Sequence, residues 1–326
     1  MTAPVLDIRG LSISYGTEAG ALKALRDVDL EVGEGSIIGI VGESGCGKST
    51  LISAIIRLLA PNAQIVQGAV NFKGRDLLGL SSEQMRALRG DEISMVFQDP
   101  MTSLNPTLTI GRQMSDVQHR STVSRSEKNA CSVMMLERVG IPDPEAQLKR
   151  YPHHLSGGMR QRVAIAMALM AEPSLLIADE PTTALDATLE VQIIHRLKEL
   201  QREFGCSILF ISHHLGVIAE LCEEVIVMYA GEVVESGPLR EVFIDPKHPY
   251  TRKLLECDPA RIAEPTRELP VIEGSLPNLV NLPDGCIFKD RCSKAEARCG
   301  IEPPKMSGDG HRAACHLLDH FQETSP

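Results

Sequence analysis

Nowhere does this chain approach the roughly 18 consecutive apolar residues that a bilayer-spanning helix needs. It also lacks an apolar leader: the stretch from Met1 to Gly10 carries Asp7 and Arg9, so no secretion signal is expected. A basic excess is missing, the formal net charge being -10, which argues against a nucleic-acid binder with a broad basic face. Internal repeats and low-complexity tracts are absent as well. Any link to a membrane is therefore expected to run through a partner.

What is present is the composition of a globular protein, with 43% hydrophobic and 23% charged residues in a chain long enough to bury a substantial core. Val5 to Ser14 alternates apolar and polar residues like a half-buried strand. Ser36 to Val41, Leu175 to Ala178 and Ser207 to Ile211 are short apolar runs of the kind found in buried strands. Helices are expected over Ser49 to Leu59, Arg160 to Met170 and Glu190 to Phe204. Strands alternating with helices predict an α/β fold around a mainly parallel sheet. Residues from about 100 to 160 read as a polar helical insertion, and beyond Gly237 prolines and cysteines mark a separate element.

Gly42-Glu-Ser-Gly-Cys-Gly-Lys48-Ser49-Thr50 fits the phosphate-loop pattern G-x-x-x-x-G-K-[ST], between a predicted strand and a predicted helix. Glycines at such spacing let successive backbone amides turn inward onto phosphate oxygens, and the helix that follows aims its positive end at the anion. Gly42, Ser44, Gly45, Cys46, Gly47, Lys48, Ser49 and Thr50 are thus candidate ATP ligands. Lys48 would neutralise the β- and γ-phosphates, and the Ser49 hydroxyl would ligate Mg2+. Leu175-Leu-Ile-Ala-Asp179-Glu180 supplies the complement, with Asp179 for the Mg2+ shell and Glu180 as general base toward water.

Leu155-Ser156-Gly157-Gly158-Met159-Arg160-Gln161-Arg162 resembles the signature of ATP-binding cassette (ABC) ATPases. That resemblance implies a phosphate-loop cassette with a helical subdomain and an N-terminal antiparallel β element. Two such cassettes sandwich two nucleotides, so Ser156, Gly157 and Gly158 would bind the γ-phosphate of ATP held by the facing subunit. It further implies that Tyr15 stacks on adenine, that Gln98 reaches Mg2+ and water, and that Ala184-Leu185-Asp186 communicates across the dimer. His213 would be the switch histidine at the γ-phosphate, although His214 stands where many relatives have aspartate.

The segments Phe97 to Pro106, Glu180 to Asp186 and Lys247 to Leu255 together resemble the D-type cassette of dipeptide and oligopeptide importers. That family implies a paired F-type cassette, two membrane permeases, an extracytoplasmic solute-binding protein and a peripheral place on the cytoplasmic face of the inner membrane. Its members also carry nickel, glutathione or sugars, so the cargo stays open. A nucleotide-binding domain over 1–240 and an importer-type extension over 241–326 are expected. A soluble cassette ATPase of ribosomes or DNA, and an exporter cassette, are the alternatives; the first usually carries two cassettes or a long coiled insertion, neither found here.

Of nine cysteines, Cys257, Cys286, Cys292, Cys299 and Cys315 crowd the final stretch. Cys286, Cys292, Cys299 and Cys315 admit a [4Fe–4S] cluster, a zinc site or free thiols. The tight C-x2-4-C pairs that zinc favours are missing, and some relatives hold a cluster in a similar tail, so the cluster is the favoured expectation. Its role would be structural or redox-sensing.

Overall fold

A computed structural model describes residues 3–99, 103–182, 187–259 and 270–318. The chain divides into two contact units that interleave along the sequence: Met1–Val5, Val32–Ser36 and Leu80–Ile211 form one, while Leu6–Glu31, Ile37–Gly79 and Ser212–Pro326 form the other.

The first unit is built on three parallel strands, Ile93–Val96, Leu175–Asp179 and Ser207–Ile211, paired in register as Val96 with Ala178 and Asp179 with Ile211. Parallel strands are covered on both faces, which is why they read as unbroken apolar runs. Leu175, Leu176, Ile177, Ile208, Leu209, Phe210 and Ile211 are all inaccessible to solvent. Each such large side chain contributes roughly 1.5–3 kcal/mol by leaving water. The described part of the polar insertion includes the helices Ile110–Val117, Arg125–Arg138 and Pro144–Leu148. Local chemistry fixes where they start. Thr109 caps the first, Ser124 and Glu127 form a reciprocal capping box on the second, and proline opens the third.

The second unit carries a four-stranded sheet in the order Gly20–Val32, Leu6–Thr17, Ala63–Phe72, Arg75–Asp76. Its buried residues Leu6, Ile8, Leu11 and Ile13 skip one place between Ile8 and Leu11. A register shift between Arg9 and Ser12 absorbs the skip against the antiparallel partner strand Ala63–Phe72. The same unit pairs Ile37–Val41 in parallel with Glu224–Tyr229, whose antiparallel neighbour Glu232–Pro238 is extended by Arg312–Ala314. The C-terminal segment is thereby stitched to the strand Glu232–Pro238. Glu235, fully buried, accepts from the backbone amides of Lys247 at 2.7 Å and His248 at 2.9 Å, and pairs with His311 Nε2 at 2.7 Å.

The helix expected over Ser49 to Leu59 spans Lys48–Ile55 instead. Arg57 adopts a left-handed φ of 52°, and Ala60 precedes Pro61, which disfavours helical backbone before it. Among the described residues, no helix is long and apolar enough to cross a membrane.

Candidate nucleotide site

The phosphate loop follows the buried strand Ile37–Val41 and ends where Gly47 caps Lys48–Ile55. Two glycines are compulsory. Gly42 has φ 152°, and a side chain there would strike the Met228 carbonyl oxygen. Gly47 has φ 106°, and its Cβ would stand 2.9 Å from the Ala24 carbonyl oxygen. Lys48 folds back over the loop and donates from Nζ to the Gly42 carbonyl at 2.6 Å and the Glu43 carbonyl at 3.1 Å. Ser44, Gly45 and Ser49 are exposed, whereas Cys46 is inaccessible and burial pushes its thiol pKa up. An exposed glycine-rich turn with serine hydroxyls, beside a held ammonium and a helix start, suits a polyphosphate. Tyr15, half-buried, donates from its hydroxyl to Thr50 Oγ1 at 3.3 Å.

His213 belongs to this same unit. Ser212, just before it, donates its amide to the Ile40 carbonyl at 3.3 Å, at the end of the strand that feeds the phosphate loop. His213 and His214 are both exposed, their rings edge-on at 4.4 Å between centroids.

Sheet register in the other unit explains how two of the candidate residues meet. Val96 pairs with Ala178, and two residues beyond each lie Gln98 and Glu180. Gln98 Nε2 donates to Glu180 Oε2 at 2.9 Å. Glu180 has a left-handed φ of 45° and donates its amide to the Ile211 carbonyl at 2.9 Å. Such backbone in a non-glycine residue costs on the order of 1–2 kcal/mol and is concentrated at functional sites. Asp179 closes the strand just before it. Ser156 caps the helix Gly157–Leu169 by accepting from the Met159 amide at 3.3 Å. Ser156 and Gly157 are exposed and Gly158 is buried; a side chain added at Gly157 would meet nothing within 4 Å. That exposed helix start suits an anion arriving from outside the chain. Ala184-Leu185-Asp186 lies outside the described residues, as do residues 100–102.

The iron–sulfur expectation finds no support among the described residues. Cys286 donates its amide to the Cys299 carbonyl at 2.8 Å, so these two backbones are tied together. Burial pushes the Cys286 thiol up to about 11, and Cys299, Cys315 and Cys292 act on it in the same direction. Yet among the described residues no group of three or more Cys, His, Asp or Glu side chains is arranged to hold a metal ion.

Three further residues escaped the sequence analysis. Tyr250 Oη accepts from the Glu43 amide at 2.9 Å, and the Arg291 guanidinium grips the Glu43 carboxylate. Glu43 sits inside the phosphate-loop motif, Tyr250 in the importer-like segment Lys247 to Leu255 and Arg291 among the tail cysteines, and none of these places gave them a role.

Residues 25–183 match the ABC transporter family, and residues 234–299 match the C-terminal region of oligopeptide/dipeptide transporters. The chain is 48% identical over 319 residues to a probable D,D-dipeptide transport ATP-binding protein, DdpD, of Escherichia coli strain K12, covering 97% of each. This chain belongs to the ABC transporter ATP-binding family. The cassette is also 44% identical over 324 residues to the dipeptide transport ATP-binding protein DppD of Bacillus subtilis, covering 98% of this chain and 96% of that one. Among solved structures, it resembles the dimeric ATP-binding cassette MJ0796 in a post-hydrolysis state bound to ADP and Pi. That likeness has a TM-score of 0.65 and 29% identity over 72% of this chain and 99% of the other. The cassette is an ATPase with the mixed α/β phosphate-loop fold expected from its motifs.

Proposed function

We propose that this cassette hydrolyses Mg-ATP to drive the import of dipeptides, oligopeptides or related solutes through partner permeases. The observation that carries the reading is the Gln98–Glu180 hydrogen bond beside Asp179. Its transport class is supported by relatives named for dipeptide and D,D-dipeptide transport. Lys48 and the loop amides bind the phosphates. Tyr15 stacks on the base, and His213 steadies the γ-phosphate. Ser49, Asp179 and Gln98 offer a hydroxyl, a carboxylate and an amide oxygen, the hard oxygen donors that Mg2+ prefers. Gln98 spends its amide nitrogen on Glu180, so its oxygen is the atom left for a cation. When bound, Mg2+ supplies charge neutralisation across the β- and γ-phosphates. Glu180 takes the proton of the attacking water, and Gln98 holds that carboxylate in place.

Ser156, Gly157 and Gly158 serve the nucleotide of a facing cassette, which we take to be a related F-type subunit. Two permeases and a solute-binding protein complete the assembly, and the cassette sits peripherally on the cytoplasmic face of the inner membrane. A nucleotide-binding domain over 1–240 and an extension over 241–326 remain the working division. The reading does not draw on an iron–sulfur cluster, for which iron and acid-labile sulfide analysis is the direct assay.

The test is purification of the tagged chain from membranes of its own cell, followed by ATPase assay in vesicles. Copurification of two integral membrane proteins, with hydrolysis stimulated by a peptide-loaded binding protein, is expected. Copurification with ribosomes, without permeases, would overturn the importer assignment.

A further inference from the structure

Glu43 occupies the first variable position of the phosphate loop and is fixed on three sides. Its amide donates to Tyr250 Oη at 2.9 Å, and its carbonyl accepts from Lys48 Nζ at 3.1 Å. Its carboxylate takes a two-pronged bond from Arg291, Nη1 to Oε2 at 2.7 Å and Nη2 to Oε1 at 3.0 Å. The fork of a guanidinium matches a carboxylate in both distance and plane, so this contact fixes orientation as well as charge.

Arg291 is itself immobilised. Its Nε donates to the Glu273 carbonyl at 2.9 Å, Nη2 to the Ile272 carbonyl at 3.0 Å, and Nη1 to Tyr229 Oη at 3.3 Å. The guanidinium also lies 5.6 Å from the centre of the Tyr229 ring. Only 5% of the side chain is exposed, against 29% for Glu43. Tyr229 and Tyr250 are fully buried, 4.6 Å apart, with Phe288 against both at 5.1 and 5.5 Å. The chain has only four tyrosines, and two of them stand together under this loop.

The electrostatics give the arrangement a purpose. A carboxylate inside a phosphate-binding loop repels a triphosphate and competes for the lysine ammonium. Arg291 cancels that charge and engages both carboxylate oxygens. Tyr250 meanwhile fixes the amide at which the loop begins to curl. A loop whose shape is set before binding loses less freedom when nucleotide arrives. Resting on the ATP-binding reading above, we infer that Arg291, supported by Tyr250, is a positioning residue of the nucleotide site. It sets affinity for ATP by neutralising and anchoring Glu43.

The experiment uses the full chain, with a fluorescent ATP analogue for Kd and steady-state hydrolysis for KM and kcat. Arg291→Ala should raise Kd and KM about tenfold or more, since a charge-assisted two-pronged bond is lost, while kcat changes much less. Adding Glu43→Gln to Arg291→Ala should recover most of that affinity, because the unbalanced charge is gone. Arg291→Lys, which keeps the charge but not the fork, should fall between, and serves if the alanine variant fails to fold. Wild-type Kd in folded Arg291→Ala or Arg291→Lys would overturn the inference. So would a loss that Glu43→Gln fails to relieve, since a purely structural role predicts no recovery. Failure of the wild-type chain to bind the analogue would instead sink the ATP reading itself.

Discussion

Gln98 holds Glu180 by a 2.9 Å hydrogen bond, and Glu180 meets it from a backbone twisted to a φ of 45°. Two adjacent parallel strands deliver the pair, and the twist re-aims a carboxylate that an extended strand would have pointed elsewhere. Glu180→Gln keeps the shape and removes the base. Hydrolysis should fall roughly 100- to 10,000-fold while ATP binding persists, as phosphate release and nucleotide titration would report. Turnover near the wild-type rate would remove Glu180 from the role of base.

Lys48 is buried to 9% exposure, and its ammonium is bonded to the Gly42 and Glu43 carbonyls. Lys48→Ala deletes a charge-assisted contact of about 1.5–3 kcal/mol, which is roughly 10- to 150-fold in affinity. Calorimetric titration with Mg-ATP is the measurement.

Ser156 caps a helix and is proposed to meet the nucleotide of a facing cassette, two roles that substitution can separate. Ser156→Ala removes the cap from Gly157–Leu169 and should cost about 0.5–2 kcal/mol of stability. Ser156→Asn retains a capping oxygen, so the melting temperature should return. Hydrolysis should stay depressed in both variants, because asparagine restores the helix start but not the small hydroxyl offered to the opposite nucleotide. Recovery of activity along with stability would reduce Ser156 to a structural cap.

His248 is buried without charge, and burial lowers its pKa to about 3. Unfolded, the imidazole takes a proton near its ordinary value of about 6.5, so the unfolded chain binds more protons below that pH. The stability contributed by neutral His248 is therefore complete above about pH 6.5 and is lost as pH falls toward 3, by roughly 1.4 kcal/mol per unit. His248 Nδ1 accepts from the Tyr250 amide at 3.0 Å, a contact that His248→Asn can imitate. Denaturant melts of wild type and His248→Asn between pH 7 and 5 should diverge in slope, the variant being flatter. Parallel slopes would mean that His248 does not carry this dependence.

Strand Ser207–Ile211 was legible to the residue because five consecutive buried positions leave no alternative phase. The loop from Gly42 to Lys48 was legible because its backbone admits so few residue types. The Gln98–Glu180 contact was not, since it depends on the register of two strands that the chain brings together from 82 positions apart. Arg291 was hidden for the same reason on a larger scale, in a segment that drew notice only for its cysteines. The tail cysteines could be counted in the sequence, but how close they come in space could not, since irregular backbone carries them, the 3-10 turns Lys289–Arg291 and Ala297–Gly300 included.

The grip of Arg291 on Glu43 spans 248 positions of sequence. On a ribosome, elongating at about 5–20 residues per second, the second partner follows the first by roughly 12–50 seconds. Throughout that interval the nascent nucleotide loop exists without its brace. Until Arg291 has emerged, the nascent loop would hold nucleotide about as weakly as the Arg291→Ala variant is expected to.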